Sequence, residues 1–271
     1  MRITDREDGI YLLGHGVVSV TELVQGKLEL NPLLLGDALA KINRFAGNTL
    51  VPWNDAEHSL LVAHLTRLVP EYVDIEELFL KRQTVVDHVK LWRDLHATPD
   101  RVYKLHCMRR HWALLHDLVE VVVGDTPNPV KKADELRRSG DTVEDDLVQR
   151  IKEQQLGRYA RAMALDFVGT EYGPVDLVAS SILELLQDFV KPADKLALLV
   201  EMKQLHQPEV LDYVMRLWQV NPYTKQFVAK FDWARLSHQR QYNNISWQTS
   251  AAAWREELLG SERALRQAFR A

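Results

Sequence analysis

The sequence predicts an all-α, mostly helical single-domain bundle with a small N-terminal β-hairpin, and three observations lead there. Apolar residues recur at three- and four-residue steps through most of the chain beyond Pro32. Helix punctuation, such as Asn54-Asp55 before one apolar run and Gly124 after another, falls where those runs begin and end. Strand-like alternation is confined to the residues before Pro32.

The hairpin reading rests on Gly9-Ile10-Tyr11-Leu12-Leu13 and Gly26-Lys27-Leu28-Glu29-Leu30, which bracket a Gly-containing segment as two arms would. From Pro32 the period becomes helical through Leu34, Leu35, Ala38, Leu39, Ile42 and Phe45, with Gly47-Asn48 as a stop. A second helix is expected from an N-cap at Asn54 or Asp55 to Pro70. Residues 71–105 read as one or two amphipathic surface helices broken at Pro99-Asp100. The apolar run HWALLHDLVEVVVG (111–124) is expected to be one helix, followed by turn chemistry over Asp125-Thr126-Pro127-Asn128-Pro129. Residues 134–170 suggest a long helix with a solvated region, and 175–190 another apolar helix. Pro192 suits the first turn of a further helix through Leu205. Aromatic residues punctuate the C-terminal part, which ends in an expected helix over Ser250–Phe269. The single domain, 1–271, thus divides into a hairpin (1–31), a core with insertions (32–205) and a C-terminal helical extension (206–271).

The 271 residues are 46% hydrophobic and 27% charged, an ordinary globular balance. A formal charge of -4 with mixed signs and no basic block argues against duplex nucleic acid as a partner. A single cysteine, Cys107, excludes an internal disulfide and a cysteine-rich zinc site, and suits a reducing compartment. No signal-type start and no membrane-length apolar stretch is present, so a cytoplasmic protein without membrane contact is expected.

The residues richest in chemistry are His116, Asp117 and Glu120. On one helix Glu120 would lie about 40° around the axis from His116 and about 60° from Asp117, placing all three on one face. The surrounding Leu114, Leu115, Leu118 and Val121–Val123 make that face costly for unpaired ionisable groups. A divalent cation would compensate, since imidazole and carboxylate suit zinc, manganese, cobalt or iron. A His-Asp hydrogen-bonded pair at a helix end is the alternative. His58 also sits in an apolar helical run, and Asp194 precedes another, with Glu201 two turns later on the same face. By themselves they read as a core histidine and a first-turn carboxylate, and Glu201 as the partner of a nearby cation.

In order and context these residues resemble the H…HD…D signature of the HD-domain metal-dependent phosphohydrolases. HDLVEVVVGDTPNPVK (116–131) is similar to the HD-x-x-E-x-x-x-G-D-x-P-x-P-x-K segment of the 5′-deoxynucleotidase and phage or prophage branch. INRFAGNTLVPWNDAEHSLLVA (42–63) and VKPADKLALLVEMKQL (190–205) resemble two further segments of that branch. The likeness covers most of residues 9–205. It departs where Asn54-Asp55 replaces a usual serine, and where Phe45 replaces the tryptophan typical of deoxymononucleotidases.

The resemblance implies that His58, His116, Asp117 and Asp194 hold one divalent transition metal (Zn, Mn, Co or Fe), with additional Mg accompanying a triphosphate substrate. It implies catalytic roles for Glu120, at the attacking water or leaving oxygen, and for Asp125, near the sugar or attacked phosphorus. Arg44, Lys131 and Lys191 become phosphate contacts, and Phe45, Trp53 and Pro129 apolar walls for sugar or base. Taken singly, such lysines are more often solvated and Trp53 more often packing. The implied activity is hydrolysis of deoxynucleotides, with a lean towards a dNTP or dATP triphosphohydrolase like the phage enzymes, and with dNDP and dNMP also accepted. A 5′-deoxynucleotidase acting on dNMPs is the nearest alternative, and a non-catalytic nucleotide-binding regulatory protein is the alternative of another class. Alarmone or cyclic-dinucleotide hydrolysis fits the GDTPNPVK turn less well. Homo-oligomerisation, and the host cytoplasm for a phage-encoded protein, are expected by the same analogy.

Overall fold

The computed structural model describes residues 9–12, 16–25, 27–44, 53–67, 86–123, 143–205 and 246–270, and these are mostly helical. Strands β1 (Gly9–Leu12) and β2 (Gly16–Ser19) pair antiparallel, with Ile10 opposite Val18. The alternating residues 27–30 are no strand, contrary to the expected second arm; Leu30 is buried in the core and Leu28 packs against it. Ser19 caps a short helix, α1 (Val20–Val24), by accepting from Glu22 N–H at 3.2 Å.

Helix α2 (Pro32–Leu39) starts as its sequence suggests, with Asn31 accepting from Leu33 N–H and proline in the first turn. It stops earlier than its apolar period does. Arg44 N–H donates to Trp53 O at 3.0 Å and Asp55 N–H to Ile42 O at 3.2 Å, so the chain leaves the helix to pair with the start of α3 (Asp55–Leu65). Asn54 caps α3 in a reciprocal box with Glu57, which answers the choice between Asn54 and Asp55.

Helix α4 (His88–Leu95) is capped by Asp87, and α5 (Pro99–Leu115) by Thr98. The expected single helix over 111–124 is divided. Its first part is the end of α5, and its last part is a four-residue turn, α6 (Glu120–Val123). Between them Leu118 N–H bonds to Leu115 O and Glu120 N–H to Asp117 O, each at 2.9 Å, a tighter three-residue pattern that swings the chain at His116.

Helix α7 (Val143–Ala164) leads through a 3₁₀ turn (Leu165–Phe167) to α8 (Val175–Leu205). Gly169 and Gly173, at φ 77° and 93°, reverse the chain between them in the left-handed region open to glycine. Pro192 lies inside α8 and starts no new helix, correcting the expectation of a boundary there. Its ring removes one internal N–H bond, while buried Phe189, Val190, Ala193, Leu196 and Ala197 on both sides keep the helix continuous by packing.

Helices α7 and α8 pack along each other, α3 lies against α5 and α8, and α9 (Trp247–Ala268) packs on α2, α3 and α5. The last helix is therefore part of the core. Trp254 is fully buried and donates to Leu114 O at 2.9 Å, two residues before His116. Ser250 accepts from Asn54 Nδ2 at 3.2 Å. Gly36 lets α2 approach this helix, since a Cβ there would meet Trp254 and Arg255 at 3.1 Å. No helix of the described residues is long and apolar enough to cross a membrane.

His111 is buried between α5 and α9, with Nδ1 2.8 Å from Ser261 Oγ. Ser261 already donates to Leu258 O, so it accepts from Nδ1–H, and a second proton would enter the apolar interior. Burial, opposed by Glu262 and reinforced by Arg158, pushes this imidazole down from 6.5 to about 4. The unfolded chain therefore binds a proton first as pH falls. The stability is full above pH 6.5 and is lost on the way to pH 4. Relative to His111→Gln, the native protein should lose about 2 kcal/mol between pH 7.5 and pH 5. Urea unfolding at the two pH values checks this, and parallel losses in both proteins would contradict it.

Candidate metal centre

Four segments bring the ionisable residues together. His58 comes from the first turn of α3, and His116 and Asp117 from the swing after α5. Asp194 and Glu201 come from α8, seven residues apart and so two turns along one face. Arg44 arrives from the extended pairing with residue 53.

Among the described residues, ligand atoms of His58, His116 and Asp117 lie within 4.8 Å of one another, a spacing a single metal ion could bridge. Asp194 joins through His58, its Oδ1 lying 3.1 Å from His58 Nε2. Asp117 Oδ2 is 3.5 Å from the same nitrogen, and Asp117 Oδ1 is 3.2 Å from His116 Nε2.

The tautomers are set by what stands behind each ring. His116 Nδ1 lies 2.8 Å from Ala113 O and so carries the donated proton. This leaves a lone pair on Nε2, which is buried and has no hydrogen-bond partner. His58 Nδ1 lies 2.5 Å from Glu201 Oε1, an oxygen that also accepts from Trp53 Nε1 at 2.8 Å. A carboxylate behind a histidine that faces other ligands is the arrangement that orients metal-binding imidazoles. Two imidazole nitrogens and two carboxylates fit a zinc, manganese, cobalt or iron ion.

Charge balance points the same way. The carboxyls of Asp55, Asp117 and Glu201 meet the guanidinium of Arg44, and those of Asp117, Asp194 and Glu201 meet the two imidazoles. Arg44 Nη1 is 3.3 Å from Asp55 and 3.2 Å from Asp117, and its Nε is 3.4 Å from Glu201. Burial disfavours the arginine's charge, but Glu201, Asp117 and Asp55 outweigh it and raise its pKa. Burial and Arg44 oppose the His58 cation, yet Glu201 and Asp194 hold it at about 10. Against burial, His116, His58 and Arg44 hold Asp117 below its usual range, and contact with His58 does the same for Asp194. Asp55, fully buried and beside Asp117, is pushed up to about 7, with Arg44 and Glu120 opposing the shift.

The structure thus brings together His58, His116, Asp117 and Asp194, with Arg44 beside them. Arg44 is committed to three carboxylates, so it does not project as a bare phosphate contact. Glu120 meets the group through Asp55, from its own short turn and not from the helix face expected for it. Lys191 is exposed on α8, one turn before Asp194, and Lys195 pairs with Asp194 Oδ2 at 3.4 Å. Trp53 is buried as a donor to Glu201 and lines no open wall. Phe45, Asp125, Pro129 and Lys131 lie outside the described residues.

Sequence reasoning missed Asp55, Lys195 and the role of Trp53. The replacement of serine by Asn54-Asp55 was the available signal for the first, but a carboxylate in a first turn ordinarily reads as a dipole partner. No known protein-family model matches the chain, and no curated protein matches it in sequence.

Arg44→Met would leave Asp55, Asp117 and Glu201 without their shared cation. The metal-free variant should lose about 3 kcal/mol or more, and manganese or zinc should raise its melting temperature more than that of the native protein. An unchanged melting temperature without metal would show that the guanidinium does not hold the cluster.

Proposed function

We propose that this chain is an HD-type metal-dependent phosphohydrolase acting on deoxynucleotides, a helical bundle preceded by a small β-hairpin. The observation that carries the reading is the convergence of His58, His116 and Asp117 within 4.8 Å, with Asp194 on His58. The H…HD…D order of the same residues and the GDTPNPVK segment after them support the substrate class. The lone cysteine is consistent with action in the cytoplasm.

His58, His116, Asp117 and Asp194 would hold the metal. A bound divalent ion acidifies a water and offsets the charge of a phosphoryl group. The protein's own contribution is orientation and proton handling. Glu201 receives His58 Nδ1–H and fixes the ring with Nε2 facing Asp117 and Asp194. Against burial, His116, His58 and Arg44 keep Asp117 ionised, and Arg44 pairs with it at 3.2 Å. Glu120 adjoins Asp55, whose carboxyl burial and Asp117 hold near neutrality, so the pair can store or release one proton there. In this reading Glu120 handles the proton of the attacking water or of the leaving oxygen. Lys191 presents an exposed ammonium one turn from Asp194, where it can meet a phosphate as a point charge. Asp125, Phe45, Pro129 and Lys131 complete the substrate side on the strength of the sequence resemblance.

The test is incubation of the protein with each dNMP, dNDP and dNTP plus manganese, cobalt or zinc, with products resolved by chromatography. Turnover of at least one deoxynucleotide is expected. Asp117→Ala should abolish it with the fold retained, and Glu120→Gln should lower kcat by about 100-fold or more. Release of triphosphate from a dNTP marks a triphosphohydrolase, and orthophosphate from a dNMP marks a nucleotidase. No turnover with any metal would contradict the proposal.

A further inference from the structure

A second concentration of cationic groups lies along α5, on the turns before the metal-ligand residues. Arg109 is 7% exposed, and among the described residues no carboxylate pairs with it. Its Nη2 lies 3.3 Å from His106 Nδ1, and its guanidinium carbon 3.8 Å from the centre of the Phe189 ring. Its Nε is buried with no hydrogen-bond partner. Burial alone acts on this group and lowers it to about 10.

The surroundings are basic. Burial and then Arg109 lower the pKa of His96, and burial, Arg109, Arg110 and Arg67 lower that of His106. Arg67 reaches His64 Nδ1 at 3.0 Å from the end of α3, while Arg110 is engaged by Glu257. Trp92, packed on both Phe189 and His96, closes one side. Seven residues of α5 separate Arg109 from His116, about 10 Å along the helix.

A buried charge without a counter-charge costs several kcal/mol, and a ring contact such as that with Phe189 returns only about 1–2 kcal/mol. Among the described residues no anion balances Arg109. We propose that Arg109, with His96 and His106, forms a phosphate-binding site separate from the metal-ligand cluster. A guanidinium fork flanked by imidazoles and a further arginine suits a doubly charged tetrahedral oxyanion better than a single carboxylate. The shared chemistry is a phosphate group, whether free or carried as a monoester.

The experiment uses the full chain, stripped of metal and dialysed, titrated calorimetrically with inorganic phosphate and with dAMP. Saturable binding is expected for at least one of them. Arg109→Met should weaken it by at least about ten-fold, while Asp117→Ala, which alters the other cluster, should leave it intact. In the native protein the ring signals of His96 and His106 should shift over the same concentrations, a readout that holds even if Arg109→Met fails to fold. Tighter dAMP binding assigns the site a phosphomonoester, and tighter inorganic phosphate binding the free ion. Absence of saturable binding, unchanged binding by Arg109→Met, or binding lost in Asp117→Ala without histidine shifts would overturn the proposal.

Discussion

The short contact between His58 Nδ1 and Glu201 Oε1 is the interaction on which the candidate centre depends. Both groups are buried, and neither imidazole nor carboxylate is tolerated in such a place without a partner. Each supplies the other, and the same carboxylate also engages Trp53 and Arg44. One glutamate thereby ties α8 to the start of α3 and to the segment that brings Arg44. The other ring nitrogen of His58, Nε2, faces Asp117 and Asp194.

The fold serves this contact in ways that span the chain. Helix α8 presents Asp194 and Glu201 two turns apart on one face, beyond Pro192, which it passes without ending. The end of α5 must stop at His116 for Asp117 to turn inward, and Trp254 braces that end by donating to Leu114 O. Ser250 braces the Asn54 cap above His58. The last helix therefore supports both histidines, although its sequence bears no resemblance to the motifs around them.

Much of this was legible in the residues. Helical period and capping chemistry announce α3 with a cap at Asn54 or Asp55, most of α7 and the C-terminal helix, because those signals are local. The histidines and aspartates of the candidate centre were legible as a set through their order and neighbours, and Glu201 through its two-turn spacing from Asp194. What escaped is what tertiary contacts decide. Pro192 reads as a boundary until the packing of Phe189, Ala193 and Leu196 is known. The run 111–124 reads as one helix because nothing local announces the swing at His116. Asp55 reads as a helix-start carboxylate, and its place between Arg44 and Glu120 arises only from the pairing of residues 42–44 with 53–55. Arg44 reads as a phosphate contact, whereas three carboxylates engage it.

The central claim is that these side chains form one metal site. Cobalt(II) titration of the metal-free protein, followed by visible absorption and by bound-metal analysis, tests it most directly. One ion should bind per chain, with affinity falling about 10- to 100-fold in Glu201→Gln, which alters the group behind His58, and falling further in His116→Ala. No bound cobalt, or binding unaffected by His116→Ala, would contradict it.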